Sequence, residues 1–147
     1  MSDFEDQARA ALAAKDDTQR QLAAAAVYPQ WRHVIFGVMM GGLVVTPALS
    51  SAARIAMFAA ILGAMPLIIR SDRKRSGMFI NGYRRGKTLL VTFVMLAVEM
   101  GLYSIGMYHA VELGDDRISF LLAPLAVAIG WIGSIIWQRV FVSEMKG

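Results

Sequence analysis

One ionisable side chain, Glu99, falls in the middle of an apolar run from Thr88 to Val111. An ionised carboxylate at membrane depth costs about 2.5–3.5 kcal/mol even on lenient insertion scales, so its chemistry has to be accounted for. Helical stepping puts Thr92, Glu99, Tyr103 and Gly106 on one face, with Ala97 and Gly101 adding a small-xxx-small step around the side. Neither Lys nor Arg lies inside an apolar run to neutralise Glu99. The expectation is a neutral carboxylic acid, since desolvation disfavours its charge, giving a hydrogen bond to a carbonyl, hydroxyl or neighbouring helix. The functional alternative makes Glu99, with Thr92 and Tyr103 beside it, a proton or cation site in a transport path, or the point where a partner supplies a cation.

Other constellations offer less. His109, Glu112, Asp115 and Asp116 cluster at the outer end of that run, and His109 and Glu112 stand at i, i+3. They are weak metal candidates, because a single imidazole is present and a polar loop is needed there in any case. Gly82 to Thr88 ends like a phosphate-binding loop, but Asn81 occupies the position that needs the first glycine. Ser50, Ser51, Ser104, Ser119 and Ser134 have no histidine–carboxylate arrangement near them in sequence. His33 follows Trp31 and Arg32 and is expected to be an interfacial residue. With no cysteine, thiolate chemistry, iron–sulfur clusters and disulfides are excluded. No enzyme activity, cofactor or resident metal is expected.

The elements that must position these residues are membrane helices. Of the 147 residues 56% are hydrophobic and 18% charged, and mean hydropathy is +0.50. Charges gather at the head, in one middle run and at the ends, leaving long stretches without the polar coat a water-soluble core needs. About 20 apolar residues cross a bilayer, which predicts spans near 33–48, 52–70, 88–111 and 118–138. The second is short, and spans fully if Arg54 and Arg70 snorkel to headgroups; the alternative is a re-entrant hairpin over 34–69. Thr46-Pro47-Ala48-Leu49-Ser50-Ser51 reads as the turn between two helical runs. The fold class is therefore all-α, an integral membrane four-helix bundle over residues 31–142. An amphipathic helical head over 1–30 precedes it, and a short tail over 143–147 follows.

In the head, Ser2 and Glu5 fit a capping box, and a break near Asp16-Asp17-Thr18 is expected, with Asp17 capping a second helix. Pro29 ends the head helix, and Tyr28 and Trp31 are placed at headgroup depth. Of the fifteen Lys and Arg residues, all but Arg54 and Arg117 fall on one side of this arrangement. The positive-inside rule then puts both termini and the middle connection in the cytoplasm, with the inner membrane as the location. Within that connection Arg73, Lys74, Arg75, Arg84, Arg85 and Lys87 are candidates for contact with anionic lipid headgroups. Met78, Phe79, Ile80 and Tyr83 would let part of it lie in the interface. Nucleic acid is not an expected partner, since the basic residues face a membrane surface.

Small residues indicate how the spans pack. Gly37 and Gly41 form a GxxxG step, Gly130 and Ser134 repeat the spacing beside Gly133, and Gly101 and Gly106 mark the third span. Such steps let backbones approach closely and gain dispersion contacts that lipid does not replace. Four helices leave little interior for a substrate path, so partners are expected to be other membrane proteins or further copies of the chain. In size and in its membrane glutamate the chain resembles small four-helix transporters. The expected function is an accessory, assembly or scaffolding subunit acting through helix contacts; the alternative is a small oligomeric proton-coupled transporter using Glu99.

Overall fold

The computed structural model describes residues 2–25, 27–76 and 86–146. Five α-helices follow in order: α1 (Ser2–Ala25), α2 (Gln30–Val45), α3 (Ser51–Ser76), α4 (Lys87–Glu112) and α5 (Arg117–Lys146). A 3₁₀ turn, Thr46–Ala48, extends α2, and no strand occurs among the described residues. Among the described residues three helices are long and apolar enough to cross a membrane: α3, α4 and α5. At 16 residues α2 is roughly 24 Å long, short of the ~30 Å of hydrocarbon. The expectations for Met78, Phe79, Ile80, Tyr83, Arg84, Arg85 and the segment from Gly82 lie outside the described residues, as does the Ser2 side chain of the capping box.

The turn between the first two apolar runs is where the sequence places it. Pro47 lies in the 3₁₀ turn, and the Leu49 N–H donates to Thr46 O at 3.2 Å. Arg54, one turn into α3, folds back over it: Nε donates to Thr46 O, and Nη2 to Pro47 O and Leu49 O, at 3.0, 3.0 and 3.2 Å. Pro47 O and Leu49 O lie past the helical ladder, and Thr46 O, already bonded to the Leu49 N–H, takes the guanidinium on its second lone pair. A guanidinium there satisfies them and opposes the negative end of the α2 dipole.

α2 and α5 run antiparallel and pack closely through their glycines. A Cβ on Gly37 would lie 2.5 Å from Val127 O, and one on Gly41 2.8 Å from Ala123 O. From the other side, a Cβ on Gly130 would meet Gly37 Cα at 3.1 Å. α4 closes the group, with Gly133 against Met95 and Gly106 against Ser119 and the Val44 carbonyl. α3 lies on the outer side of α2, where Met57 and Ile61 approach Gly42. Much of the remaining surface of α3 is exposed, including Ile55, Leu62 and Leu67 at 68–70%.

The head departs from expectation. α1 is one helix through Asp16-Asp17-Thr18, because the Thr18 hydroxyl donates to Ala14 O at 2.8 Å instead of opening a new turn, and alanines on both sides favour the helix. Among its described side chains, the packed ones lie toward its C-terminal end. Ala23 is buried with Phe141 and Met145, flanked by Leu22, Trp137 and Val142, and the Trp137 and Phe141 rings stack with centroids 5.4 Å apart. The last turns of α5 thus serve the head.

Candidate functional site

Met95, Glu99 and Gly106 lie on one side of α4, and Met95 and Gly106 meet α5 there, so the helical register turns Glu99 inward as well. Glu99 is 8% exposed, and neither carboxyl oxygen has a hydrogen-bond partner among the described residues. Thr92 and Tyr103 are half-buried on the same face, and the Thr92 hydroxyl donates to Thr88 O at 3.0 Å within its own helix. Ala97 and Gly101 stand two residues either side of Glu99, about 160° around the helix. Both are exposed, and a Cβ on Gly101 would meet nothing within 4 Å. Expected at a packing step, Gly101 points away from the helices that enclose Glu99. Ser119 Oγ and Trp137 Nε1 are also buried without a partner among the described residues.

A second polar group, unforeseen from residue spacing, forms at the end where α2 begins and α5 finishes. His33, expected as an interfacial residue, is 2% exposed and packs between helices. Its Nδ1 lies 2.8 Å from Ser134 Oγ and its Nε2 3.1 Å from Gln138 Oε1. The same Oε1 accepts the Tyr28 N–H at 2.8 Å. A carbonyl oxygen only accepts, so in the neutral ring Nε2 carries the hydrogen and Nδ1 accepts the Ser134 hydroxyl. Hydroxyl, imidazole and amide thus lie in the order of a nucleophile, its base and an orienting group. The orienting group is an amide instead of a carboxylate, and the N–H groups around Ser134 are spent in the α5 ladder. The arrangement clasps α2 to α5. Residue spacing could not reveal it, since the partners are 101 and 105 positions apart.

Tyr28, expected at headgroup depth, packs at the same end. It is 6% exposed, beneath the Arg32 guanidinium at 3.6 Å from the ring centroid, and Arg75 lies 5.8 Å away. Burial raises the pKa of its phenol above the usual value, and Arg32 opposes the shift. Arg32 Nε donates to Asp72 Oδ2 at 2.9 Å, and Asp72 is 2% exposed, so α3 is tied to α2 at this end by an ion pair. Arg75 Nη2 donates to Val27 O at 2.6 Å. Trp31 is 46% exposed.

The basic candidates divide. Arg73 and Lys74 are exposed, as is Lys87, whose backbone N–H is held by Glu144. The carboxylate of Glu144 faces Gly86 and also accepts from the Thr88 hydroxyl at 3.4 Å, so it caps the start of α4. Arg75 turns toward Val27 and Tyr28, and Arg84 and Arg85 lie outside the described residues. At the opposite end, His109 is half-buried with its ring edge-on to Tyr108, and Glu112 is exposed. Among the described residues no three His, Asp or Glu side chains are grouped to hold a metal.

Comparison with protein-family models, with curated proteins and with solved structures finds no match for this chain.

Proposed function

We propose that the chain is a four-span inner-membrane protein with both termini and the middle connection in the cytoplasm. It acts without catalysing a reaction, as an accessory, assembly or scaffolding subunit that holds other membrane proteins or further copies of itself through helix contacts. The first span is α2 continued by the 3₁₀ turn, and the Arg54 cap supports ending it there, because it leaves few bare carbonyls at that depth.

The observation that carries the reading is α3. Its membrane window is 6% buried, while that of α5 is 22% buried. Apolar exposure suits lipid, but a helix attached mainly along one side is also free to receive another helix. A photo-crosslinking residue at Leu62, 68% exposed, is expected to capture a polypeptide in native membranes. One at Ile61, 8% exposed against α2, is expected to crosslink within the chain. Leu62 adducts formed only with lipid would overturn the reading.

The buried, unpartnered carboxyl of Glu99 favours a second reading, a proton-coupled oligomeric transporter. Glu99→Gln keeps the shape and cannot release a proton. Substrate-dependent proton flux in liposomes that vanishes in this variant would establish transport over scaffolding.

A further inference from the structure

At the end of α3 that carries Asp72, an open notch of about 500 Å³ is lined by Pro66, Ile69, Arg70, Arg73 and Lys74. The floor is apolar and the rim is cationic. We propose that this notch binds an anionic phospholipid, its phosphate held by Arg70, Arg73 and Lys74 and the start of an acyl chain lying against Pro66 and Ile69.

The helical register makes the charge one-sided. Residues 66, 69, 70, 73 and 74 follow the i, i+3, i+4, i+7, i+8 pattern of a single helix face. Asp72 is the sole acid of α3, and it points away to pair with Arg32 at 2.9 Å. α2, which packs against α3, carries no Asp or Glu. Arg75 belongs to the opposite side, where it donates to Val27 O. Three exposed cations therefore share the rim with no ion pair to any described acid. Three positive charges around an apolar floor complement a ligand with an anionic head and a hydrocarbon tail, a combination that free phosphate lacks.

The site rests on the membrane placement proposed above, which puts the last turns of α3 at the cytoplasmic headgroup layer. There each basic residue contributes about fivefold to association with an anionic surface.

The test uses the full chain purified in neutral detergent. It is titrated with phosphatidylglycerol, cardiolipin or phosphatidylcholine of matched acyl chains, and retained lipid is counted by native mass spectrometry. The unmodified chain is expected to retain the two anionic lipids in preference to phosphatidylcholine. Arg70→Gln, Arg73→Gln and Lys74→Gln should each weaken retention by about fivefold, while Arg75→Gln leaves it unchanged. Inorganic phosphate should displace the lipid no better than chloride at equal ionic strength. Equal retention of anionic and zwitterionic lipid by the unmodified chain overturns the proposal without any variant having to fold. So does an effect of Arg75→Gln as large as that of the rim variants, which would signal diffuse surface charge, and so does displacement by phosphate alone. Alkaline extraction of native membranes separates the two ideas: a chain that stays in the pellet yet shows no lipid preference lacks the notch site only, and a chain released to the supernatant removes the membrane placement itself.

Discussion

At Glu99 the decisive quantity is the cost of charge. Both oxygens are buried without a partner among the described residues, so an ionised carboxylate would gain nothing there to offset its lost hydration. Glu99→Gln preserves volume and neutrality and is expected to leave stability in detergent nearly unchanged. Glu99→Lys should cost about 2.5–3.5 kcal/mol, the penalty for a charge at mid-membrane depth. Thermal unfolding followed by circular dichroism gives the order, and equal damage from both variants would mean that the native side chain is ionised and paired. The His33 clasp has a separate signature. Gln138→Ala removes the acceptor of both the Tyr28 N–H and the His33 ring, a loss expected at about 1–3 kcal/mol for the buried donors stranded. A double-mutant cycle of His33→Ala and Ser134→Ala should show coupling of about 0.5–3 kcal/mol, as expected for side chains in direct contact.

Between helices, what matters is how near the backbones come. Gly37→Ala would push a methyl group to 2.5 Å from the Val127 carbonyl oxygen, which belongs to a helix and cannot rotate away. The resulting shift of α2 from α5 should cost about 1–3 kcal/mol. Gly63→Ala and Gly101→Ala place their methyl groups in open space. Each should stabilise its helix by roughly 0.5–1 kcal/mol through the lower backbone entropy of the unfolded chain. Melting temperatures of the three variants in one detergent check the contrast, and a loss at Gly101 matching that at Gly37 would place a partner helix on the outer face of α4. For α3 the critical attachment is the Arg32–Asp72 pair. Asp72 is buried but Arg32 is 18% exposed, so the charge left by removing Asp72 keeps some water and the loss is about 1–3 kcal/mol. Asp72→Ala should therefore loosen the end of α3 and speed proteolysis between Ser71 and Ser76, with α2, α4 and α5 still folded.

For the molecule as a whole, the helices alternate in direction, so the charge asymmetry makes an orientation prediction. The chain has no cysteine, and single cysteines at Ser76 and Asp115 report on opposite ends. In intact cells an impermeant thiol reagent is expected to label Asp115→Cys, on the loop after α4, and to spare Ser76→Cys until the membrane is opened. Equal external labelling would remove the four-span arrangement and the lipid notch with it.

Much of the helix plan was legible because it rests on local rules. Apolar runs, the proline at Thr46-Pro47-Ala48 and the position of Glu99 within α4 are properties of consecutive residues, and the helices α2 to α5 follow them, three of these being long and apolar enough to cross a membrane. The expected break in α1 failed at this same local level, where the Thr18 hydroxyl fed the helix ladder and alanine propensity prevailed. What consecutive residues cannot carry is the rotation of one helix against another. That rotation put His33 on Ser134 and Gln138, sent Gly101 outward while Glu99 turned in, and divided Arg75 from Arg73 and Lys74 on a single helix. A change of about 100° per residue carries a side chain from lipid to core. Only the packing of α2, α4 and α5 at their glycines decides which residues make that passage.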